Sequence, residues 1–371
     1  MQVLLTGYYG KANFGDDVLL KVTHGVCRNR WPDAHISVLC DGYQDDYLGT
    51  LLGEDVEILA PGDKGSFDLI VHGGGGTFFD FGNYGWFDRI LNSLIGMLGA
   101  RRYARMDVGV RKLLGKQHLK ACRRLGWGLG VGRYARGSAK LRRDLPVLLD
   151  FDSLVVRDAE SVERLKELGI QDKVVEGGDL CFLDEYWVPD DIANGMRRES
   201  AKTKLGVVLR DWPYDGGEKY LRGMMKLLPR LRQEFELTLF VFDERTDGRL
   251  VELIRDYEPV VWNPMYWSFD AYCRRLGEQD AVVSSRAHGV MCSVVLGVPA
   301  VALGIEPKLA AVHERLPGST RLLPLAGIEY PALAAAIDAV AGCPRPVLRE
   351  DVASNRHLLE AEMLLANGAF G

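Results

Sequence analysis

Short apolar runs, each closed by glycine or a polar residue, alternate along this chain with stretches whose apolar positions fall three and four apart. The first run, in QVLLTG, leads into a turn holding Asn13, Gly15, Asp16 and Asp17, and then into Val18, Leu19, Val22 and Val26 at helical spacing. HISVLC, VEILA and DLIVHGGGG continue the series, and WGLGVG, SLVVRD and KVVEGGD extend it. Alternating strands and helices of this kind predict a parallel sheet with helices on both faces. After Tyr186 the pattern dissolves into WVPDDIANGMRRESAKTK, whose charge, Pro189 and Gly195 mark an interdomain connection. A second series opens at KLGVVLRD and runs through helix YLRGMMKLLPRLRQEF, strand LTLFVF, helix RLVELIRDY and strands PVVWN, DAVVSS and PAVALG. The expectation is an α/β protein of two doubly wound domains, residues 1–190 and 204–345, facing across a cleft. In residues 346–371, Leu358, Leu359, Met363 and Leu364 stand at helical spacing, and this helix is expected to pack back on the N-terminal domain. Ligands of such folds sit at the carboxyl ends of strands and in the cleft between halves.

Length and charge sharpen this. A chain of 371 residues exceeds what one hydrophobic core supports, and 47% hydrophobic with 26% charged residues is the make-up of a globular protein. The net charge of −5 argues against nucleic acid as a partner, so an anion must be held by local clusters of cations. Seven scattered cysteines without a CxxC pair predict neither a zinc site nor a disulfide framework, and suit a reducing compartment. MQVLLTGYYG enters a strand without a basic leader, and Pro299 interrupts the long apolar stretch Val290–Gly304, so the expected location is cytoplasmic. One segment departs from the acidic average. Between Trp86 and Arg124 an apolar part is followed by Arg101, Arg102, Arg105, Arg111, Lys112, Lys116, Lys120, Arg123 and Arg124, with Asp107 the sole acid after Arg101. Residues 86–124 therefore suit peripheral attachment to an anionic membrane surface, the alternative being an ordinary solvated helix face.

The chemistry concentrates where strands end. SSRAHGV, Ser284–Val290, follows an apolar strand and opens a helix, with Arg286 and His288 near the helix start. Unpaired N–H groups and the helix dipole favour an anion there, arginine adds a planar two-donor fork, and histidine adds a proton mobile near neutral pH. Arg210 ends the strand GVVLR, and Lys308 follows about twenty residues after His288. In the first half, GYYGKANFGDD occupies the place of a dinucleotide fingerprint but spaces its glycines wrongly, and two acids at the helix start would repel a pyrophosphate. Asp16 and Asp17 suit either sugar hydroxyls or capping of the helix. HGGGGTFFD places Gly74, Gly75 and Gly76 at a strand end, where a bare backbone makes either a ligand-facing wall or a tight packing turn.

GYYGKANFGDD, HGGGGTFFD, LVVRDAESVERLKELGI, VVEGGDLCFL, VVLRDW and SSRAHGVMCSVVLGVPAVALGIEPK, in that order, resemble the polysaccharide pyruvyl transferase family. The resemblance covers about residues 3 to 310 and implies two Rossmann-like domains facing each other as in the GT-B glycosyltransferases. It implies phosphoenolpyruvate as donor, held by Arg210, Arg286, His288 and Lys308 in the C-terminal domain. The acceptor is then a sugar of a bacterial surface polysaccharide or of its lipid-linked precursor, bound on the N-terminal side by Asn13, Asp16, Asp17, Gly74, Gly75 and Gly76. The product is a pyruvate ketal. His288 is the candidate general acid, toward C3 of the enol or toward the departing phosphate, and Asp16 or Asp17 orients or deprotonates the hydroxyls. No cofactor and no metal is demanded, because cationic side chains can stabilise the charge. Ala287 stands where the family often has a larger apolar residue. Two readings compete: a nucleotide-sugar glycosyltransferase of the same build, with Glu306 on a ribose, and a non-catalytic sugar-phosphate sensor in which His288 only donates a hydrogen bond.

Overall fold

The computed structural model describes residues 1–41, 46–53, 56–80, 92–93, 95, 99, 102–103, 119–135, 137–193, 202–214 and 216–367. In the first half the described strands are β1 (Gln2–Thr6), β2 (His35–Leu39), β3 (Glu57–Leu59), β4 (Ser66–Asp80), β5 (Lys120–Tyr134), β6 (Ser153–Val156) and β7 (Val174–Glu176). They form one parallel sheet in the order β3-β2-β1-β4-β5-β6-β7. In the second half β8 (Lys204–Val208), β9 (Glu236–Val241), β10 (Val260–Val261), β11 (Ala281–Ser284), β12 (Ala300–Gly304) and β13 (Thr320–Pro324) form another, ordered β10-β9-β8-β11-β12-β13. Both orders reverse direction once, between β1 and β4 and between β8 and β11. At those points the crossover helices leave on opposite faces and open a crevice at the carboxyl ends of the strands. The crevices receive, respectively, the glycine run with the loop after β1, and the segments that carry Arg210, Arg286 and His288. These are two Rossmann-like domains in the GT-B arrangement.

The domains share a hydrophobic core. Phe14, the first residue of the Phe14–Arg30 helix, enters the second domain and is fully buried there. Its ring lies 4.9 Å from Phe242, 5.4 Å from Trp262, 5.5 Å from Phe269 and 4.7 Å from Tyr272. Its N–H donates to the Phe242 carbonyl at 2.9 Å. Each such aromatic pair is worth about 0.5–1.5 kcal/mol beyond its buried area, so the first turn of this helix is tied to the second domain.

The final helix, Arg345–Asn367, packs against β6 and against the short turn Leu180–Phe182 of the first domain. Leu359 and Met363 are buried in that contact, whereas Leu358 is exposed, since adjacent residues of a helix lie about 100° apart. Arg356 anchors the helix through Asp184 at 2.8 Å and Glu185 at 3.2 Å. The basic segment 86–124 lies largely outside the described residues. Its end does not fit the expected helix face: Lys120, Arg123 and Arg124 stand on β5, and Arg124 is paired with Asp150 at 2.6 Å. Their apolar neighbours Leu125 and Trp127 are fully buried, so this part is a sheet strand beginning with charges, and reading it as a helix misjudged the period. Among the described residues no helix is long and apolar enough to cross a membrane.

Candidate active site between the two sheets

β11 ends in Ser284 and Ser285, and these two hydroxyls shape the turn. Ser284 Oγ accepts from the Arg286 N–H at 3.0 Å and donates to the Arg286 carbonyl at 2.8 Å, while Tyr220 donates to Ser285 Oγ at 2.7 Å. Arg286 thereby becomes the cap residue of the Ala287–Val295 helix, with His288 in its first turn. Lys308 lies in the first turn of the Pro307–Arg315 helix, which follows β12, and Arg210 follows β8 directly. Because β8, β11 and β12 are adjacent and parallel, these four side chains emerge on one edge of the sheet.

Each cation arrives with an acid. Arg286 is nearly buried and bonds Asp247 at 2.5 Å and Thr246 at 3.2 Å. Burial raises the Asp247 carboxyl, and the Arg286 charge opposes that rise. Arg210 lies 3.2 Å from Glu306 and stacks 4.8 Å above Trp212, while Lys308 reaches the other Glu306 oxygen at 3.8 Å. Burial lowers both Arg210 and Lys308, and Glu306 works against it. The expected patch of positive charge is thus laced with carboxylates, because charges this deep are stable only when paired.

The first domain supplies the facing wall. Asp16 is half-buried; burial raises its carboxyl to about 6 against the pull of His288, Lys308 and Arg286. A side chain at position 15 would meet His288 Nδ1 at 2.2 Å, so glycine is what allows the first turn of the Phe14–Arg30 helix to lie against the imidazole. Arg157, at the end of β6, and Asp179, after β7, complete the wall. Arg157 bonds Asp158 at 3.0 Å and approaches Asp179 at 3.7 Å, and Asp179 stands 3.6 Å from His288 Nε2. Burial would raise Asp179, yet His288, Arg157 and the Cys181 N–H hold its carboxyl down at about 2. Arg157, Asp179, Phe182, Met291, Lys308 and Arg315 line a small cavity of ≈ 30 Å³ between the domains, and of Arg210, Arg286, His288 and Lys308 the last alone reaches its lining.

Three of the acceptor-side expectations meet a different arrangement. Asn13 is the helix cap, its Oδ1 accepting from the Gly15 N–H at 3.1 Å, and its Nδ2 donates to Asp243 of the second domain at 3.2 Å. Asp17 is buried away from the cleft, where its Oδ2 accepts from Tyr47 at 2.5 Å and from Trp262 of the second domain at 2.7 Å. Next to Asp16 on a helix, it must point about 100° away, into the interface. The glycine run divides in the same way. Gly74 (φ 65°) and Gly75 (φ 84°) adopt a left-handed backbone that L side chains avoid, and Gly74 is pressed against Leu19. Gly75 lies beside Asp16, and Gly76 is the position that looks toward Lys308 and Arg157.

Asp17 carries a prediction of its own. Burial lifts its carboxyl to about 7, above the 3.8 of a free side chain, although Tyr47 and Trp262 favour the charged form. The folded state therefore holds a proton that the unfolded chain releases, and the stability this contributes is lost as pH rises from about 4 through about 7. Asp17→Asn is expected to flatten that decline by an amount on the order of a few kcal/mol. Urea midpoints of both proteins at about pH 5 and about pH 8 check it; parallel declines would contradict it.

The sequence reading passed over Arg157, Asp179 and Asp247. Arg157 had a signal, since SLVVRD ends in the same strand-arginine-aspartate as KLGVVLRD, which did point to Arg210. Asp179 had a weaker one, the two glycines before it. Asp247 had none.

The model of the polysaccharide pyruvyl transferase family matches residues 13–307 of the chain. No curated protein matches it. Among solved structures, UDP-GlcNAc 2-epimerase from Methanocaldococcus jannaschii, in complex with UDP-GlcNAc and UDP, superposes with a TM-score of 0.56 at 12% identity, over 93% of this chain and 94% of the other. A putative UDP-N-acetylglucosamine 2-epimerase from Listeria monocytogenes gives 0.56 at 11% identity over 99% and 97%. A lipopolysaccharide outer core galactosyltransferase gives 0.50 at 11% over 100% and 99%. At such identities these likenesses carry the fold.

Proposed function

Since this chain belongs to the polysaccharide pyruvyl transferase family, we propose that it moves the pyruvyl group of phosphoenolpyruvate onto two hydroxyls of one sugar, as a ketal, and releases inorganic phosphate. The acceptor in this reading is a sugar of a surface polysaccharide or its lipid-linked precursor. The carrying observation is that Arg210, Arg286, His288 and Lys308 emerge on one sheet edge, opposite Asp16 and the bare backbone of Gly76.

Phosphoenolpyruvate bears a phosphate and a carboxylate on one carbon, which match two guanidinium forks and an ammonium. On binding, the donor's anionic groups take the places now held by Asp247 and Glu306 around Arg286, Arg210 and Lys308. His288 then gives a proton to C3, so that C2 becomes electrophilic. One sugar hydroxyl adds to C2, Asp16 accepting its proton. The C2–O bond to phosphate breaks with Asp16 passing its proton to the leaving phosphate, the second hydroxyl adds and returns its proton to His288, and the ketal is complete. The two hydroxyl protons end on C3 and on phosphate, so the chemistry balances. A carboxyl that titrates at about 6 is well placed to take and return a proton near neutral pH.

A thermal-shift panel tests the donor. Phosphoenolpyruvate is expected to raise the melting temperature and nucleotide sugars to leave it unchanged. The opposite pattern would assign the chain to nucleotide-sugar transfer. A rise with phosphoenolpyruvate but no phosphate release with any glycan would assign it to sensing.

A further inference from the structure

We propose that Asp179, contributed by the first domain, is the positioning residue of His288 in the second, pairing with its imidazole across the interface and holding it oriented. Asp179 Oδ1 is occupied, accepting from the Cys181 N–H at 3.1 Å to cap the turn Leu180–Phe182. Oδ2 is not. It is buried without a hydrogen-bond partner and faces His288 Nε2, which is likewise buried and without one, at 3.6 Å. That is too long for a hydrogen bond, and a buried polar group left unmatched costs about 1–3 kcal/mol. The two atoms have opposite character, and the one other cation recorded near Oδ2, Arg157, is no closer, at 3.7 Å, so an approach of about 0.8 Å would join them in a charge-assisted bond of ~2.8 Å. Since they belong to different domains, the bond forms only when both sheets are in register, and the acid is complete only in the closed molecule.

The surroundings keep Asp179 in place. Gly178 lies against the final helix, the Asn355 carbonyl being 3.3 Å from where a Cβ would stand, so the chain before Asp179 is pinned from behind. Arg157 approaches Oδ2 at 3.7 Å and steadies the carboxylate without capturing it. Asp179 of the first sheet and Asp16 of the Phe14–Arg30 helix face His288, Arg157 stands behind Asp179, and Asp243, Lys308 and Arg286 stand around Asp16. Of these Asp179 stands 3.6 Å from Nε2, close enough for its charge to favour a donor on that nitrogen. A side chain at position 15 would collide with Nδ1, so that edge of the ring lies against the start of the Phe14–Arg30 helix; with Nε2 turned to the carboxylate, Nδ1 is the nitrogen left to deliver the proton. This role rests on His288 being the general acid.

The test is an NMR titration of the His288 ring in the free protein, assigned by comparison with His288→Gln. Asp179→Asn preserves the shape and the Cys181 contact, and is expected to lower the midpoint by about one unit or more. Arg157→Gln removes the competing cation and is expected to raise it. If the Asn variant does not fold, the sign of the Gln variant decides. An unmoved midpoint would overturn the proposal. In turnover, the fall of kcat at high pH should shift down with the Asn variant by the same interval, a change that a merely structural aspartate would not produce. The titration needs no substrate. A midpoint that moves in a protein making no pyruvyl ketal would leave the pair standing and sink the transfer reading instead.

Discussion

Arg286→Ala is expected to abolish the thermal response to phosphoenolpyruvate and to cost about 3–5 kcal/mol of stability in the same stroke. The second effect follows from Asp247, whose side chain is fully buried and bonded to Arg286 at 2.5 Å. Without the guanidinium, Asp247 keeps its bond from the Asp211 N–H at 2.9 Å but loses the charge that opposes its burial. The two effects separate in a double variant. Asp247→Asn combined with Arg286→Ala is expected to recover most of the stability, because the amide needs no counter-charge, and none of the response to the donor. Denaturant midpoints and melting curves with and without phosphoenolpyruvate measure both. A donor response that survived in the single variant would show that the anion binds elsewhere.

His288→Asn is expected to lower kcat about 10²–10⁴-fold while leaving the response to phosphoenolpyruvate within a few-fold of the original. On the proposed reading the imidazole supplies the proton, whereas the donor is held by Arg210, Arg286 and Lys308, which the substitution leaves in place. Phosphate release under saturating donor and glycan is the measurement. An equal loss of binding and turnover would make His288 a ligand of the donor and move the acid elsewhere. Asp16 would then be the candidate, since burial already holds its carboxyl at about 6.

The contrast between Asp16 and Asp17 shows how far residue type and spacing reach. Both stand in one polar turn, and both are carboxylates at a helix start. One faces the cleft beside His288, while the other is sunk between Tyr47 and Trp262 as a tie between domains. Nothing within the turn distinguishes them, since the difference is made by a tryptophan 245 residues away. Asn13 behaves alike, meeting an aspartate 230 residues on. Phe14 is a further case, looking like any apolar residue of an amphipathic helix while its partners all lie beyond residue 240.

What could be read along the chain was whatever depends on near neighbours. Apolar runs and turn residues announce parallel strands and their ends, and strand ends are where Arg210, Arg286, His288 and Lys308 stand, because side chains must follow the local period of burial. What folding alone settled is the pairing: which acid neutralises which cation, which of two adjacent carboxylates faces the cleft, and that Asp179 approaches His288 from the other domain. Those choices depend on charges driven together by burial in a shared core, where low dielectric makes each contact decisive, and on separations in space that spacing along the backbone does not encode.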